Sequence, residues 1–262
     1  MLVWKAVVLG IVEGVTEFLP ISSTGHLILI SEVVNYPEAR RATFEIFIQL
    51  GAILAIVWLY RDHLFGLLRR AAGDATARDL LGKVLLAFLP AALAGLLFHA
   101  AIEARLFHPR VVALALILGG LAILLLEQRR WSPGVRDIEA VTWRQALWIG
   151  VGQTLSLIPG VSRAAATIVG GLLTGLDRPV ATQFSFYLSI PTLAAASLYS
   201  LFKARNDLVA ADFAPLAVGF VVSFVSALVV VRAFITFVQR HTFAGFGYYR
   251  IALGLLVLAV VG

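Results

Sequence analysis

Two glutamates four residues apart, Glu13 and Glu17, precede a cluster of hydroxyls and a histidine in the string EGVTEFLPISSTGH. On a helix that spacing places both carboxylates on one face. Such a pair repels unless one member holds a proton or a cation sits between them. It therefore suits acid/base chemistry, or a hard divalent cation whose shell is completed by phosphate oxygens. A second string, QTLSLIPGVSRAAAT, carries Ser162, Arg163 and Thr167. An arginine in the first turn of a helix works against the helix dipole, which favours anions at that end. It makes sense there as a clamp that grips an anion together with the helix amides. An ion pair from Arg163 to Glu13 or Glu17 is the plainer reading, and the empty site accommodates both.

The hydroxyls have two readings as well. Ser22, Ser23 and Thr24 follow Pro20, and Ser162 follows Pro159-Gly160, so ordinary N-capping is expected of at least one of them. A helix N-terminus at membrane depth also binds phosphate through its free amides, with one serine placed as nucleophile. On that reading one of these serines attacks, and His26, within a helical turn of Ser23, is placed to relay the proton. Glu17, with Glu13, binds Mg²⁺ or Ca²⁺ or orients the attacking group, a water in place of the serine being the alternative. Arg163, with the amides at Ser162, grips the phosphate. Glu45 and Gln49 open the next span and stand behind the acids.

These residues sit in an apolar background. The chain is 60% hydrophobic, and its mean hydropathy of +0.94 is far from the range of soluble proteins. Apolar runs recur at Phe44–Tyr60, Val84–Ala101, Val111–Leu126, Phe184–Phe202, Phe213–Val231 and Ile251–Val261. With aromatic and basic flanks as interfacial ends, they reach the roughly 17–25 residues that cross about 30 Å of hydrocarbon. Continuous runs exclude a β-barrel, which needs alternating segments of about ten residues. The expected fold class is an all-α polytopic membrane protein. Ionisable side chains cost several kcal/mol at bilayer depth, so the two polar strings are where function is sought. There is no cysteine, which removes disulfides and thiolate metal sites. The net charge of +6 falls at helix ends and short loops, where it sets orientation and is no nucleic-acid footprint. No cleavable signal is expected, because the first 30 residues hold two glutamates and no small-residue cleavage site.

Shifting the chain by 140 residues lays Gly10 on Gly150, Glu13 on Gln153, Thr16 on Ser156, Ser22 on Ser162, Phe44 on Phe184 and Ala55 on Ala195. The chain thus reads as one membrane domain, 1–262, with repeat halves at about 1–130 and 140–262. Each half is a broken polar segment followed by three spans. Pro20 and Pro159-Gly160 interrupt the broken segments, so these are expected to dip in and return. Three crossings per half then invert the second half relative to the first, the arrangement in which broken helices meet near the bilayer midplane. Seven Lys/Arg (Lys5, Arg40, Arg41, Arg105, Arg110, Lys203, Arg205) fall on one side. Twelve, from Arg61 to Arg250, fall on the other, which is then cytoplasmic. Both termini are expected outside, with the first broken segment entering from the outer face.

The strings EGVTEFLPISSTGH and PGVSRAAAT, with FIQLGAILA after the first, resemble the undecaprenyl-diphosphatase family of the bacitracin-resistance type over the whole chain. The resemblance implies removal of one phosphate from undecaprenyl diphosphate, recycling the lipid carrier of cell-wall synthesis in a bacterial inner membrane. It also implies six transmembrane helices plus two re-entrant helix-loop-helix pairs, with a site open to the periplasmic face. By position, Glu13 and Glu17 match the family's acidic pair. Ser23 matches its candidate nucleophile, His26 its acid/base, and Ser162, Arg163 and Thr167 its second motif. On the resemblance, Ser22 and Thr167 join Arg163 and Ser162 as phosphate-binding residues. Where the family usually has Ser-Gly after the arginine, this chain has Ala164-Ala165, neither of which replaces a titratable group. The partners implied are a prenyl diphosphate lipid and the membrane, with no nucleic acid; a homodimer is compatible with the sequence. A flippase or ion-coupled transporter built on the same inverted repeat is the rival reading.

Overall fold

The computed structural model describes residues 2–128, 134–204 and 212–261; Arg129, Arg130 and Arg205, counted above as loop charges, lie outside them. The described residues form helices and no strand. The first half contains α1 (Leu2–Thr16), α2 (Ser23–Val33), α3 (Glu38–Leu59), α4 (Arg61–Arg70), α5 (Ala75–Leu106) and α6 (Pro109–Glu127). The second contains α7 (Trp143–Gln153), α8 (Arg163–Leu173), α9 (Arg178–Ala204), α10 (Phe213–Val238) and α11 (Ala244–Val261). Five helices, α3, α5, α6, α9 and α10, are long and apolar enough to cross a bilayer. The sixth expected crossing falls on α11, 18 residues packed along α6. At 1.5 Å per residue it reaches about 27 Å, close to the hydrocarbon thickness. The protein is an all-α multi-pass membrane protein.

Local sequence accounts for the ends of these helices. Asp74 caps α5 by accepting from the Thr76 amide at 2.8 Å. Thr142 and Gln145 close a capping box on α7, Thr142 N donating to Gln145 Oε1 at 2.9 Å. Pro109 occupies the first turn of α6, where a missing N–H costs nothing. Helix α4 was not among the expected elements. It is short and basic, and it carries exposed Phe65 and Leu68.

The internal repeat is visible in how the helices pair. α1 packs on α10 as α7 packs on α5, and α10 meets α3 as α5 meets α9. Matched glycines make both of the first contacts possible. A Cβ on Gly10 would lie 2.7 Å from the Gly219 carbonyl oxygen of α10, and one on Gly150 would lie 2.4 Å from that of Ala87 on α5. Bare glycine lets the helix axes approach until backbones touch, as is usual where lipid supplies no hydrophobic drive for association. The largest apolar cluster lies between the halves and includes Phe18, Phe184, Phe186 and Phe234. Two charges depart from their expected place. Lys83, counted above with the loop charges, is buried within α5 beside Asp79. Arg250, counted above with the loop arginines, is fully buried, because carbonyls of broken backbone inside the protein take up its N–H groups.

Candidate active site

Both polar strings break where expected. α1 ends at Thr16, and Glu17 N still donates to Glu13 O at 2.9 Å, so the two acids keep their helical register across the helix end. The chain turns through Pro20 and Ile21, and α2 starts at Ser23. In the second half α7 ends at Gln153, a 3-10 turn covers Thr154–Leu157, and Gly160 takes φ +96° before α8 starts at Arg163. The caps are near copies. Ser22 has φ 73° and ψ 98°, Ser162 φ 70° and ψ 118°, and each Oγ accepts from the amide three residues on, Gly25 N at 3.4 Å and Ala165 N at 3.2 Å. Left-handed φ in a residue other than glycine is strained and is held only where the surroundings enforce it.

Within this frame, side chains from both halves converge. Ser23 Oγ donates to Glu17 Oε2 at 2.6 Å. Arg163 Nη2 donates to Glu17 Oε1 at 3.3 Å, with both side chains buried. Arg163 Nη1 donates to the Ser185 carbonyl at 3.1 Å and to Ser185 Oγ at 3.3 Å. Thr167 Oγ1 shares a hydrogen bond of 2.6 Å with Ser185 Oγ and also donates to Arg163 O. The guanidinium carbon lies 5.5 Å from the Phe18 ring centroid. The result is a continuous chain from Ser23 through Glu17, Arg163 and Ser185 to Thr167. Two broken helices thus meet through a carboxylate and an arginine, and their positive ends face the same small volume.

Two buried atoms at this site have no partner, Glu13 Oε2 and Arg163 Nε, and at the end of α7 Gln153 Nε2 has none either. Glu13 and Gln153 are repeat mates, each fully enclosed. An acceptor and a donor left open at membrane depth are costly unless a ligand fills them. Glu13 lies within the fields of Glu17, Glu45 and Arg163. Two carboxylates beside a hydroxyl make a hard-oxygen donor set. Among the described residues no group of three or more His, Asp or Glu closes into a full shell. That set suits Mg²⁺ or Ca²⁺ bound by one or two carboxylates and completed by water and phosphate oxygens.

His26 lies elsewhere than a direct relay would have it. Its Nδ1 is 2.7 Å from the Ser22 carbonyl, which can only accept, so Nδ1 carries the proton. Its Nε2 is 2.7 Å from the Tyr249 hydroxyl, and the two rings stack at 5.6 Å. The proton partner of Ser23 is Glu17, and His26 stands at the exposed edge beside α11. Glu45 accepts from Arg41 at 3.2 Å, and Gln49 accepts from Ser197 at 3.0 Å, both outside the Ser23–Thr167 chain.

Ser185, Phe18, Tyr249 and Arg250 were not singled out in the sequence. A signal for Ser185 existed, since the 140-residue shift that pairs Phe44 with Phe184 also lays Glu45 on Ser185. Tyr249 and Arg250 had none, because their contacts cross 90 to 230 residues of chain to backbone atoms or to a single ring.

Comparison with known proteins places the site in context. The family model described as bacitracin resistance protein BacA matches residues 6–256. A Rhodospirillum rubrum protein named undecaprenyl-diphosphatase 2 is 53% identical over 256 residues, 97% of this chain and 93% of that protein. Undecaprenyl-diphosphatase 1 of Chromobacterium violaceum is 50% identical over 258 residues, 98% of this chain and 96% of its own. Undecaprenyl-diphosphatase of Aromatoleum aromaticum is 48% identical over 254 residues, 97% of this chain and 93% of its own.

Proposed function

The chain belongs to the bacitracin resistance protein BacA family, and we infer from that premise that it hydrolyses undecaprenyl diphosphate to undecaprenyl phosphate and inorganic phosphate. The relatives carry the name of a phosphatase, which does not favour the transporter reading. Such a reaction recycles the lipid carrier of cell-wall synthesis in a bacterial inner membrane, and bacitracin resistance follows from it.

The observation that carries the mechanism is the 2.6 Å bond from Ser23 Oγ to Glu17, whose other oxygen takes Arg163 from the opposite half. Ser23 attacks the terminal phosphorus while Glu17 accepts its proton, and the bond to the bridging oxygen breaks, releasing undecaprenyl phosphate. Water then releases the phosphate from Ser23. Arg163 and the free amides at the starts of α2 and α8 hold the phosphoryl oxygens, stabilising charge where it develops. Ser22 and Ser162, bonded to the Gly25 and Ala165 amides as caps, fix the turns that present the free amides, and Thr167 aligns Arg163 through Ser185. The proton taken from Ser23 rests on Glu17 until water attacks, while His26 holds the Ser22 carbonyl and Tyr249 at the edge of the site. Glu13 and Glu17 would hold a divalent cation, which supplies neutralisation of the diphosphate charge.

The excess of Lys and Arg on the opposite side supports placing both termini and the first broken segment at the outer face, and with them a site open to the periplasm. The test is phosphate release from undecaprenyl diphosphate by purified protein in detergent, with acid-quench trapping of phosphoserine. No release from the parent protein would sink the hydrolase reading. Release without a trappable phosphoserine, together with residual turnover by Ser23→Ala, would instead assign the attack to water.

A further inference from the structure

Among the described residues Arg250 is the largest side chain that is fully enclosed. Among the described residues it has no carboxylate partner. Its guanidinium is held by four carbonyl oxygens. Nη1 donates to Pro20 O at 3.2 Å, and Nη2 donates to Gly160 O at 3.0 Å and Ala115 O at 3.1 Å. Nε donates to Leu116 O at 3.4 Å. Pro20 and Gly160 lie in the two breaks, and Ala115 and Leu116 belong to α6.

The backbone has been shaped to admit this group. A Cβ on Gly119 would fall 2.2 Å from Nη2 and 2.9 Å from Cζ, so only glycine leaves room. A Cβ on Gly160 would lie 2.6 Å from Val112 O, and its φ of +96° also requires glycine. Carbonyls of broken helix at membrane depth have no helical N–H of their own, and each costs several kcal/mol unless it finds a donor. One planar guanidinium satisfies a carbonyl in each break at once. Lysine, a point charge with tetrahedral donors, cannot span the same four oxygens.

The consequence reaches the chemistry. Ser23 stands three residues after Pro20, and Arg163 three residues after Gly160. Fastening the two carbonyls to one rigid group fixes the attacking hydroxyl relative to the anion-holding arginine. We propose that Arg250 is a positioning residue for phosphoryl transfer, locking the two broken segments to each other so that Ser23 and Arg163 address the same phosphorus. This rests on the hydrolase reading above.

The experiment uses full-length protein in detergent and three variants: Arg250→Lys, Arg250→Gln and Gly119→Ala, the last leaving the arginine in place but pushing it from its seat. Kinetics with undecaprenyl diphosphate are paired with hydrogen–deuterium exchange, which reads the loops without needing turnover. The expected result is a kcat lowered by about 30-fold or more with KM within about threefold, as displacement by an ångström predicts. Exchange should rise in segments 20–26 and 158–165 together, while α3 stays protected. A kcat within about threefold of the parent in the variants that fold, Gly119→Ala included, overturns the proposal. So does faster exchange spread evenly over all helices, the pattern of a structural residue alone. A parent protein without phosphatase activity would sink the hydrolase reading, and the exchange pattern would still judge the coupling of the loops.

Discussion

Replacing Ser23 by alanine removes the donor that holds the Glu17 carboxylate and, on the proposed mechanism, the attacking oxygen. Glu17→Ala removes the proposed proton acceptor and the ion-pair partner of buried Arg163, while Arg163→Ala removes the proposed phosphate clamp. Each is expected to lower phosphate release by about 100-fold or more, the scale on which single nucleophiles, bases and oxyanion donors act. Turnover near the parent level in all three would end the assignment. Ser185→Ala is a gentler probe. It deletes the Oγ that bonds Thr167 and accepts from Arg163, but leaves the Ser185 carbonyl to hold Nη1. One hydrogen bond to a charged group is worth about 1.5–3 kcal/mol, so a fall of about 10-fold in kcat/KM is expected. An unchanged kcat/KM would show that the carbonyl alone orients the arginine.

At the scale of the elements, the site depends on how closely α1 and α7 approach the spans behind them. A Cβ on Gly14 would lie 2.4 Å from Ser223 O and 2.8 Å from Ala227 N, both backbone atoms of α10 that cannot yield. Gly14→Ala is therefore expected to destabilise the protein by about 1–3 kcal/mol, as overpacking does, and to lower the thermal midpoint in detergent. Gly73→Ala, where a Cβ would meet nothing within 4 Å, serves as the control and should leave the midpoint unchanged. Equal midpoints for the two variants would contradict the close packing of α1 on α10. The breaks themselves were readable from the chain, because Pro20 and Pro159-Gly160 interrupt a helix and the serines that follow restart one. Helix α4 was not, since the loop between two long spans was given no element of its own. Its exposed Phe65 and Leu68 beside arginines suit a helix lying at the membrane interface.

For the molecule as a whole, the repeat was the most informative feature of the sequence. It anticipated the paired caps at Ser22 and Ser162, the mates Glu13 and Gln153, and the matched glycines. What it could not reveal was the fastening of one half to the other. A lone arginine near the end of an apolar span looks like a loop charge, and partners that are backbone carbonyls have no residue type to read. His26 illustrates the same limit, as its neighbourhood in sequence pointed to Ser23 while its ring bonds Tyr249 from the last helix. The assigned orientation is open to direct test because the chain contains no cysteine. Single substitutions Glu38→Cys and Gly73→Cys should react with an impermeant maleimide from the outside and from the cytoplasmic side, respectively. The reverse pattern would place the site on the inner face. The account stands most directly on one comparison, phosphate released from undecaprenyl diphosphate in detergent by the parent protein and by Arg163→Ala, with and without chelator. We expect rapid release by the parent, loss on chelation, and about 100-fold slower release by the variant. Equal release by both proteins would contradict a site assembled from the two halves.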